Sequence, residues 1–458
     1  MLIALCNLAT MPYKEGNFVP GKNPFAHRSP CPYNIYLLAA IMEQGGYEIS
    51  IKDWTGKGCE FQELVGELIG FDVIMMSSNS WNWYPTACLI EKLRSVRDDQ
   101  IFVVGGLQAT LFGQKIMEEY PVDYAVRGEA EKSVIPLLRL IEKKGKPQEV
   151  PGLVYKENGA IRLNPVSPLM TPEEMSLLPL ALYEKLQEGT YNWLSIEASR
   201  GCVNHCSYCS TPYQINWRPL SAETVVDRIE SYIPYLGKVL TGKFIFIDDS
   251  FIIDVKRARQ IARLLRERQI DIKAIWNGHV TELFEEEMLI ELNPYTEAIF
   301  VGAESCHEET LKKIGKHFKP EDIMKGAEIA VKTGTDKKLF FSFIIGFPWQ
   351  NKEIIIKEID KIYSLVSITG ACAIIRWLLL NPGSRIWNEF YNKKKAPLRN
   401  FRKLYQEWKE EAFPLSEEEE QEITSYAISL QNSIPGGTYR FQFLQGINNM
   451  IKNIFPGT

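Results

Sequence analysis

Short apolar runs that alternate with amphipathic stretches constrain the fold of this chain more than any other feature. One such series occupies roughly the first 130 residues, and a second begins near residue 192. Strands of four to six residues that alternate with helices predict parallel sheets covered by helices. Between the two series lies a segment with five prolines and no sustained period, which is typical of an inter-domain linker. The sequence therefore predicts an α/β protein with at least two domains.

The first series predicts a doubly wound, Rossmann-like domain, and the second predicts six βα units of a partial (β/α)6 barrel of the TIM type. The long loop at Thr10–Tyr33 is a candidate lid or substrate cover, because loops of this length are usually functional or disordered. A small hairpin is expected near Leu153–Leu163. The predicted divisions are residues 1–150 for the first domain, 151–190 for the linker, 191–387 for the barrel and 388–458 for a helical C-terminal region.

Charge and cysteine content exclude several classes of protein. Lys and Arg number 52 against 57 Asp and Glu, a net charge of −5, so we expect no nucleic-acid partner. No apolar run reaches the length of about 18 residues that a membrane helix needs, so no membrane partner is expected. Nine mostly scattered cysteines, an odd number, argue against a disulfide framework and favour a reducing cytoplasm.

Three cysteines, Cys202, Cys206 and Cys209, fall within eight residues directly after a predicted strand. Soft thiolate ligands on one loop favour zinc, copper(I) or an iron–sulfur cluster. A structural zinc site needs four ligands, and His205 beside Cys206 would tend to point away. A cubane held by three thiolates leaves one iron open for chemistry. An iron–sulfur cluster is the leading interpretation, with zinc or three unrelated core cysteines as alternatives.

The segment Ser199–Cys209 resembles the signature of the radical S-adenosylmethionine (SAM) superfamily, and the resemblance extends over roughly residues 190–385. It implies a [4Fe–4S] cluster whose unique iron binds the amino and carboxylate groups of SAM. One-electron reduction then generates a 5′-deoxyadenosyl radical. The resemblance makes Cys202, Cys206 and Cys209 the metal ligands and catalytic residues, and places Tyr208 near the adenine.

Three later strand ends carry motifs similar to SAM-contacting segments of that superfamily. The first ends in paired acids and resembles a contact to the SAM amino group. The second resembles a contact to the ribose, and the third a segment packed against the adenine. A helix cap, a structural ion pair and a plain turn are the respective alternatives. The residues concerned are, in that order, Asp248 and Asp249, Glu304 and Ser305, and Gly346 and Phe347.

A doubly wound domain ahead of such a barrel resembles the cobalamin-dependent class of radical SAM enzymes. The resemblance covers about 130 residues, and Thr55 stands where a histidine would ligate cobalt. The alternative is a domain that no longer binds cobalamin. The cofactor-binding residues that the resemblance implies are Asp53, Thr55, Gly58, Ser77, Asn79, Gly105, Gly106, Gln108, Arg127, Gly128 and Glu129.

The resemblance implies an enzyme that methylates an unactivated carbon of a small molecule or peptide through methylcobalamin. It also implies an electron donor such as flavodoxin or ferredoxin. A radical SAM cyclase or rearrangement enzyme and a non-enzymatic cofactor-binding sensor are the alternatives. Arg376, Trp377 and Arg385 are weak candidates for substrate contacts. The five histidines lack ligand spacing and are predicted as surface or core residues.

Overall fold

The computed structural model describes residues 1–8, 13–14, 17–18, 29–54, 61–80, 82–211, 214–394 and 401–444. Within these ranges the chain forms two seven-stranded sheets and two short antiparallel pairs. The predicted lid at Thr10–Tyr33 lies mostly outside the described residues. No described helix has both the length and the apolar composition needed to cross a membrane.

The first sheet is built from the N-terminal half. Its order is β4-β1-β5-β6-β7-β8-β9, and the first five of these strands run parallel. Its strands are β1 (Ile3–Asn7), β4 (Ile49–Asp53), β5 (Val73–Ser77), β6 (Ile101–Gly105), β7 (Tyr124–Val126), β8 (Leu153–Glu157) and β9 (Ala160–Leu163), and the strands β2 (Tyr13–Lys14) and β3 (Asn17–Phe18) form a separate antiparallel pair. The helices are α1 (Tyr33–Gln44), α2 (Phe61–Leu68), α3 (Trp83–Val96), α4 (Gly106–Glu119), α5 (Val134–Ile141) and α6 (Pro172–Ser176).

The parallel part of this sheet confirms the predicted doubly wound fold. Strand β4 lies on one side of β1 in the sheet, and the later strand β5 lies on the other side. The winding direction of the chain therefore switches between β1 and β5. Ligands of such sheets bind at the carboxyl ends of the strands beside this switch point. The hairpin β8–β9 pairs antiparallel with β7, so the segment predicted as a linker begins with two strands of the first sheet. The domain boundaries themselves stay a prediction.

The second sheet is entirely parallel, with the order β10-β13-β14-β15-β16-β17-β18. Its strands, with the pair β11 and β12, are β10 (Trp193–Ile196), β11 (Ser199–Arg200), β12 (Arg218–Pro219), β13 (Lys243–Phe246), β14 (Ala274–Gly278), β15 (Thr296–Glu304), β16 (Leu339–Ile345), β17 (Cys372–Trp377) and β18 (Phe441–Phe443). The helices are α7 (Ala222–Tyr232), α8 (Val255–Glu267), α9 (Glu286–Leu292), α10 (Glu308–Ile314), α11 (Pro320–Thr333), α12 (Lys352–Thr369), α13 (Arg385–Lys394), α14 (Phe401–Ala412), α15 (Glu417–Ser433) and α16 (Gly437–Arg440).

All six strands predicted for the barrel are present, with a seventh, β18, from the C-terminal region. Buried aromatic side chains pack together against the first strands: Phe246 stacks on Trp276 with ring centroids 4.7 Å apart, and Phe251 packs against both. One core of buried side chains continues from this barrel into the first domain. The carboxyl ends of both sheets face a common space.

Candidate active site

A cleft with a volume of about 320 Å³, open to solvent, lies between the carboxyl ends of the two sheets. We call it the interdomain cleft. The wall that the first domain contributes lies at the switch point of its sheet. Apolar side chains line this wall, among them Leu5, Met75 and Val103. Its rim residues are Ser77, Gly105, Gly106, Gly128, Glu129 and Glu131 on one side and Glu197, Ser199, Arg200, Gly201, Ile247 and Asp249 on the other.

A second cleft opens at the mouth of the barrel, and we call it the cluster cleft. All three predicted cluster cysteines line it. The remaining lining comes from the carboxyl ends of four barrel strands and the loops around them. The lining residues include Cys202, Asn204, Cys206, Tyr208, Cys209, Asp249, Asn277, His279, Glu304, Lys316, Ser342 and Arg376. Asp249 lines both clefts, so the two spaces adjoin at this carboxylate.

The cysteine loop is held by backbone contacts and presents its sulfur atoms to N–H donors. The Ser207 N–H donates to the Ile314 carbonyl at 3.0 Å, which docks the loop against the end of α10. The backbone N–H of Asn204 points at the Cys202 sulfur, and that of Thr211 at the Cys209 sulfur, each at 3.4 Å. Such donors are suited to hydrogen-bond the sulfur ligands of an iron–sulfur cluster.

No three His, Cys, Asp or Glu side chains in the described ranges converge on the position of a single ion. A cubane binds each thiolate through a different iron atom, so it does not require that convergence. The loop, its N–H donors and the adjoining polar cleft therefore fit an iron–sulfur cluster with a ligand at its open iron.

The paired acids after β13 have different surroundings. Asp248 is 2% exposed and accepts hydrogen bonds from the Ala198 N–H at 2.8 Å and from the Ser199 hydroxyl. Burial raises its pKa to about 7. Asp249 accepts from the Thr211 hydroxyl at 3.0 Å and borders both clefts. Of the two acids, only Asp249 lies where a ligand can reach it.

Glu304 ends β15 in the cluster cleft with a left-handed backbone, φ = 67°. This conformation is strained for a residue with a side chain, and such strain concentrates at functional sites. The Lys316 ammonium lies 3.7 Å from its carboxylate. Burial, and then the neighbouring Glu304, raises the pKa of Tyr208 well above its usual value. Glu304 and Tyr208 thus form one polar wall beside the cysteines.

Ser305, the other residue predicted at this strand end, is turned away from the cleft. Its hydroxyl donates to the carboxylate of Glu358 on α12, which also accepts from the Cys306 N–H at 2.9 Å. Glu358 is bound in turn by the Gln350 amide, whose oxygen accepts from the N–H groups of Gly346 and Phe347 at 2.8 and 2.9 Å. This buried network fixes the loops after β15 and β16 relative to each other, and Ser305 contributes to it as a supporting residue.

The segment after β16 packs an aromatic ring behind Tyr208. Phe347 lies edge-on to Tyr208, with centroids 6.2 Å apart, and is stacked on Trp349. Gly346 has φ = 83°, and a Cβ there would lie 2.9 Å from Phe413 and Trp377. Both predicted residues are buried beneath the wall of the cluster cleft and support Tyr208.

The glycines predicted for the nucleotide-binding edge of the first domain lie on the interdomain cleft. Gly105, Gly106 and Gly128 line it at the ends of β6 and β7, together with Ser77 at the end of β5. The buried Gln108 accepts from the Ser80 hydroxyl at 3.1 Å, but its amide nitrogen has no hydrogen-bond partner among the described residues. An open backbone edge with an orphaned buried donor nearby fits a large polar ligand such as a corrinoid.

The other described residues that were predicted to bind cobalamin have side chains that contact other protein groups. Asp53 is bound by the Asn7 amide at 3.1 Å and by the Tyr191 hydroxyl. The Asn79 side chain accepts from the Asn82 N–H at 3.3 Å. Arg127 donates to the Asn164 carbonyl at 2.6 Å, toward the β8–β9 hairpin and not into the cleft. Thr55 and Gly58 lie outside the described residues.

Glu129 joins the two domains. Its carboxylate lies 2.8 Å from the Arg218 guanidinium and 3.4 Å from that of Arg200. Arg200 also binds Glu131 and Glu197, each at 2.7 Å, and the side chains of this cluster are only 7–12% exposed. Because Arg200 stands two residues before Cys202, this ionic cluster ties the first domain to the cysteine loop.

A substitution at Gly106 tests whether the turn between β6 and α4, which borders the interdomain cleft, requires glycine. It has φ = 83°, and a Cβ there would lie 2.6 Å from the Ser78 carbonyl oxygen. We expect Gly106→Ala to lower the free energy of unfolding of this domain by about 1–3 kcal/mol. Gly105→Ala is the matched control, since Gly105 has φ = −122° and open space at its Cβ position. Denaturant unfolding followed by circular dichroism should separate the two, and equal stabilities would contradict this account.

The structure also brings to the cluster cleft residues that sequence reasoning did not select. His279 was predicted as a surface or core residue, yet it lines the cleft, as do Asn204 and Lys316. Arg376, a weak candidate for substrate contact, lines it too and donates to the Ser342 hydroxyl at 2.7 Å. The available signal was their position, since His279 and Arg376 lie at or just beyond the ends of parallel barrel strands.

Two family models match the chain. The radical SAM superfamily model covers residues 196–362, and the B12 binding domain model covers residues 30–137. Among curated proteins, the uncharacterized methyltransferase PH0819 of Pyrococcus horikoshii is 25% identical over 384 residues, 80% of each chain. The 4′-phospho-dehydrooxetanocin synthase of Priestia megaterium is 23% identical over 53% of this chain and 35% of its own. The hopanoid C-3 methylase of Methylococcus capsulatus is 24% identical over 66% and 59%.

Solved structures share the whole architecture. The radical SAM methyltransferase TsrM of Kitasatospora setae, with cobalamin and a [4Fe–4S] cluster bound, aligns at a TM-score of 0.71 and 15% identity, over 98% of this chain and 92% of that one. The cobalamin-dependent radical enzyme OxsB, with aqua-cobalamin and SAM bound, aligns at 0.65 and 20% identity, over 89% and 56%. These likenesses establish the fold.

The radical SAM domain implies a [4Fe–4S] cluster and SAM, and the B12 binding domain implies cobalamin. Both domains are present in the expected order, with the two clefts between and beside them. The chain therefore belongs to the cobalamin-dependent radical SAM enzymes, the family that includes methyltransferases such as TsrM.

Proposed function

We propose that this enzyme transfers a methyl group from SAM to an unactivated carbon of a small molecule or peptide, with cobalamin as the methyl carrier. The observation that carries the proposal is that the interdomain cleft and the cluster cleft adjoin at Asp249. A cobalamin in the first cleft and SAM in the second would then lie on opposite sides of one carboxylate. Methyl transfer through a carrier needs that proximity, because both partners must reach the same substrate carbon.

In this proposal Cys202, Cys206 and Cys209 hold the cluster. When bound, the cluster supplies the electron that cleaves SAM and the cobalamin supplies a methyl carrier. The chain's own residues bind, orient and shield these partners. Asp249 is placed to accept a hydrogen bond from an ammonium group, and Glu304 with Tyr208 forms a polar wall suited to the ribose and adenine.

Two cations in the cluster cleft favour a ligand with negative charge. Lys316 donates to the Gly302 carbonyl at 3.1 Å and lies beside Glu304, on the cysteine side of the cleft. Arg376 stands at the end of β17 and its guanidinium binds the Ser342 hydroxyl. We propose Lys316 for the SAM carboxylate and Arg376 for the substrate.

Names of several relatives support methyl transfer. They include the hopanoid methylase and the cytidylyl-2-hydroxyethylphosphonate methyltransferase of Streptomyces wedmorensis. The synthase of Priestia megaterium and an anaerobic magnesium-protoporphyrin IX monomethyl ester cyclase of Synechocystis favour a second candidate, ring formation or rearrangement.

We propose flavodoxin or ferredoxin as the electron donor. We also propose a cytoplasmic location, since the eight described cysteines are all free thiols.

The test uses SAM labelled in its methyl group and needs no substrate. The full chain, reconstituted without oxygen and loaded with cobalamin, is incubated with the labelled SAM and a chemical reductant. We expect label in the extracted corrinoid and 5′-deoxyadenosine in solution, both measured by mass spectrometry. Formation of 5′-deoxyadenosine without label in the corrinoid would contradict methyl transfer and favour ring formation or rearrangement.

A further inference from the structure

A chain of three residues connects the end of β14 to a cysteine of the cluster loop. The Asn204 side-chain nitrogen lies 3.0 Å from His279 Nε2 and 3.6 Å from the Cys202 sulfur. The backbone N–H of Asn204 also points at this sulfur, at 3.4 Å. Both hydrogens of the Asn204 amide therefore have acceptors, one on the imidazole and one on the sulfur.

The imidazole can accept this hydrogen bond because it is neutral. Burial and then the charge of Lys316 lower the pKa of His279 to about 3. A neutral imidazole has one nitrogen with a free lone pair, and the nearby amide donor selects Nε2 as that nitrogen. With this acceptor fixed directly after β14, the second Asn204 hydrogen is directed at Cys202.

We propose that His279 is a positioning residue that holds the Asn204 amide as a donor to the Cys202 sulfur and thereby raises the reduction potential of the cluster. This inference rests on the cluster assignment of the proposed function. Reduction adds one electron to the cluster and breaks no bond, so the reduced cluster carries one more negative charge. A donor to a ligating sulfur stabilises that added charge.

The effect expected from this contact is a change in the reduction equilibrium. We expect Asn204→Ala to disfavour one-electron reduction about tenfold, which corresponds to a potential about 59 mV more negative. His279→Leu removes the acceptor that orients the amide and should shift the potential in the same direction. His279→Gln restores an acceptor oxygen at similar reach and should return the potential toward that of the parent.

The measurement is a reductive titration of the reconstituted full chain with dithionite, without SAM, monitored by electron paramagnetic resonance. Iron and sulfide are quantified in every sample. His205→Ala is the matched control, because His205 lies in the same loop with an exposed side chain and should leave the potential unchanged. The double variant Asn204→Ala with His279→Leu should match Asn204→Ala alone, since His279 acts through Asn204.

The outcomes separate this inference from the proposed function. A parent chain that binds no cluster contradicts the proposed function. Variants that bind about four irons and keep the parent potential contradict the role of the Asn204 contact, as does an additional shift in the double variant. If Asn204→Ala fails to bind a cluster, the two His279 variants still test the role of the Asn204 contact, because His279 lies outside the loop. The measured quantity is then the difference in reduction potential between His279→Leu and His279→Gln.

Discussion

Replacement of Cys202, Cys206 or Cys209 by alanine should abolish the cluster and the cleavage of SAM. Each thiolate holds one iron, and the fourth iron must stay open for SAM, so two remaining cysteines cannot retain a functional cluster. Iron and sulfide content, visible absorption and 5′-deoxyadenosine formation measure the effect. We expect all of them to fall to background in each variant.

Cys372 offers a matched control for this experiment. It is a buried free thiol on β17 of the same sheet and does not line the cluster cleft. Cys372→Ala should therefore keep its cluster and its 5′-deoxyadenosine formation. A Cys206→Ala variant that retained about four irons and produced 5′-deoxyadenosine would contradict the assignment of the loop.

Arg200→Met should give the largest loss of stability among the interdomain contacts. The substitution leaves three carboxylates in the ionic cluster, Glu129, Glu131 and Glu197, with Arg218 as the remaining cation. Removing one partner of a buried ion pair costs about 3–5 kcal/mol, because the other charge stays buried.

Thermal unfolding and cobalamin retention test this expectation together. Arg268→Met is the control, because Arg268 pairs with Asp227 and Glu230 on the exposed surface and should show no resolvable change. We expect Arg200→Met to unfold at lower temperature and to retain less cobalamin at equal iron content. A variant as stable as the parent would show that the ionic cluster does not fasten the first domain to the cysteine loop.

Local patterns in the sequence were sufficient to predict most of the strands and helices and the cysteine loop. Each depends on neighbours within a few residues, through periodicity, glycine positions and ligand spacing. Strand β18 was not predicted, because three residues of a mostly helical region give no local signal and acquire their strand only by pairing with β17. The attachment of the β8–β9 hairpin to β7 is likewise a property of the assembled sheet.

Individual site residues were harder to predict than strand ends. Asp248 and Asp249 are adjacent, yet only the second faces the clefts, because the first is captured by the Ala198 N–H and the Ser199 hydroxyl. Ser305 is drawn to Glu358, 53 residues away. His279 has no ligand spacing, and its contact with Asn204 joins residues 75 positions apart. Such choices are made by tertiary contacts that sequence spacing does not encode.

We expect one chain to hold both a cluster and a cobalamin at adjoining clefts. The most direct test is the cobalamin and iron content of the full chain after purification and reconstitution without oxygen, read from absorption spectra and chemical analysis. We expect about one cobalamin and about four irons per chain. Four irons with no retained cobalamin would contradict this expectation, and would leave the first domain as a module for substrate or partner.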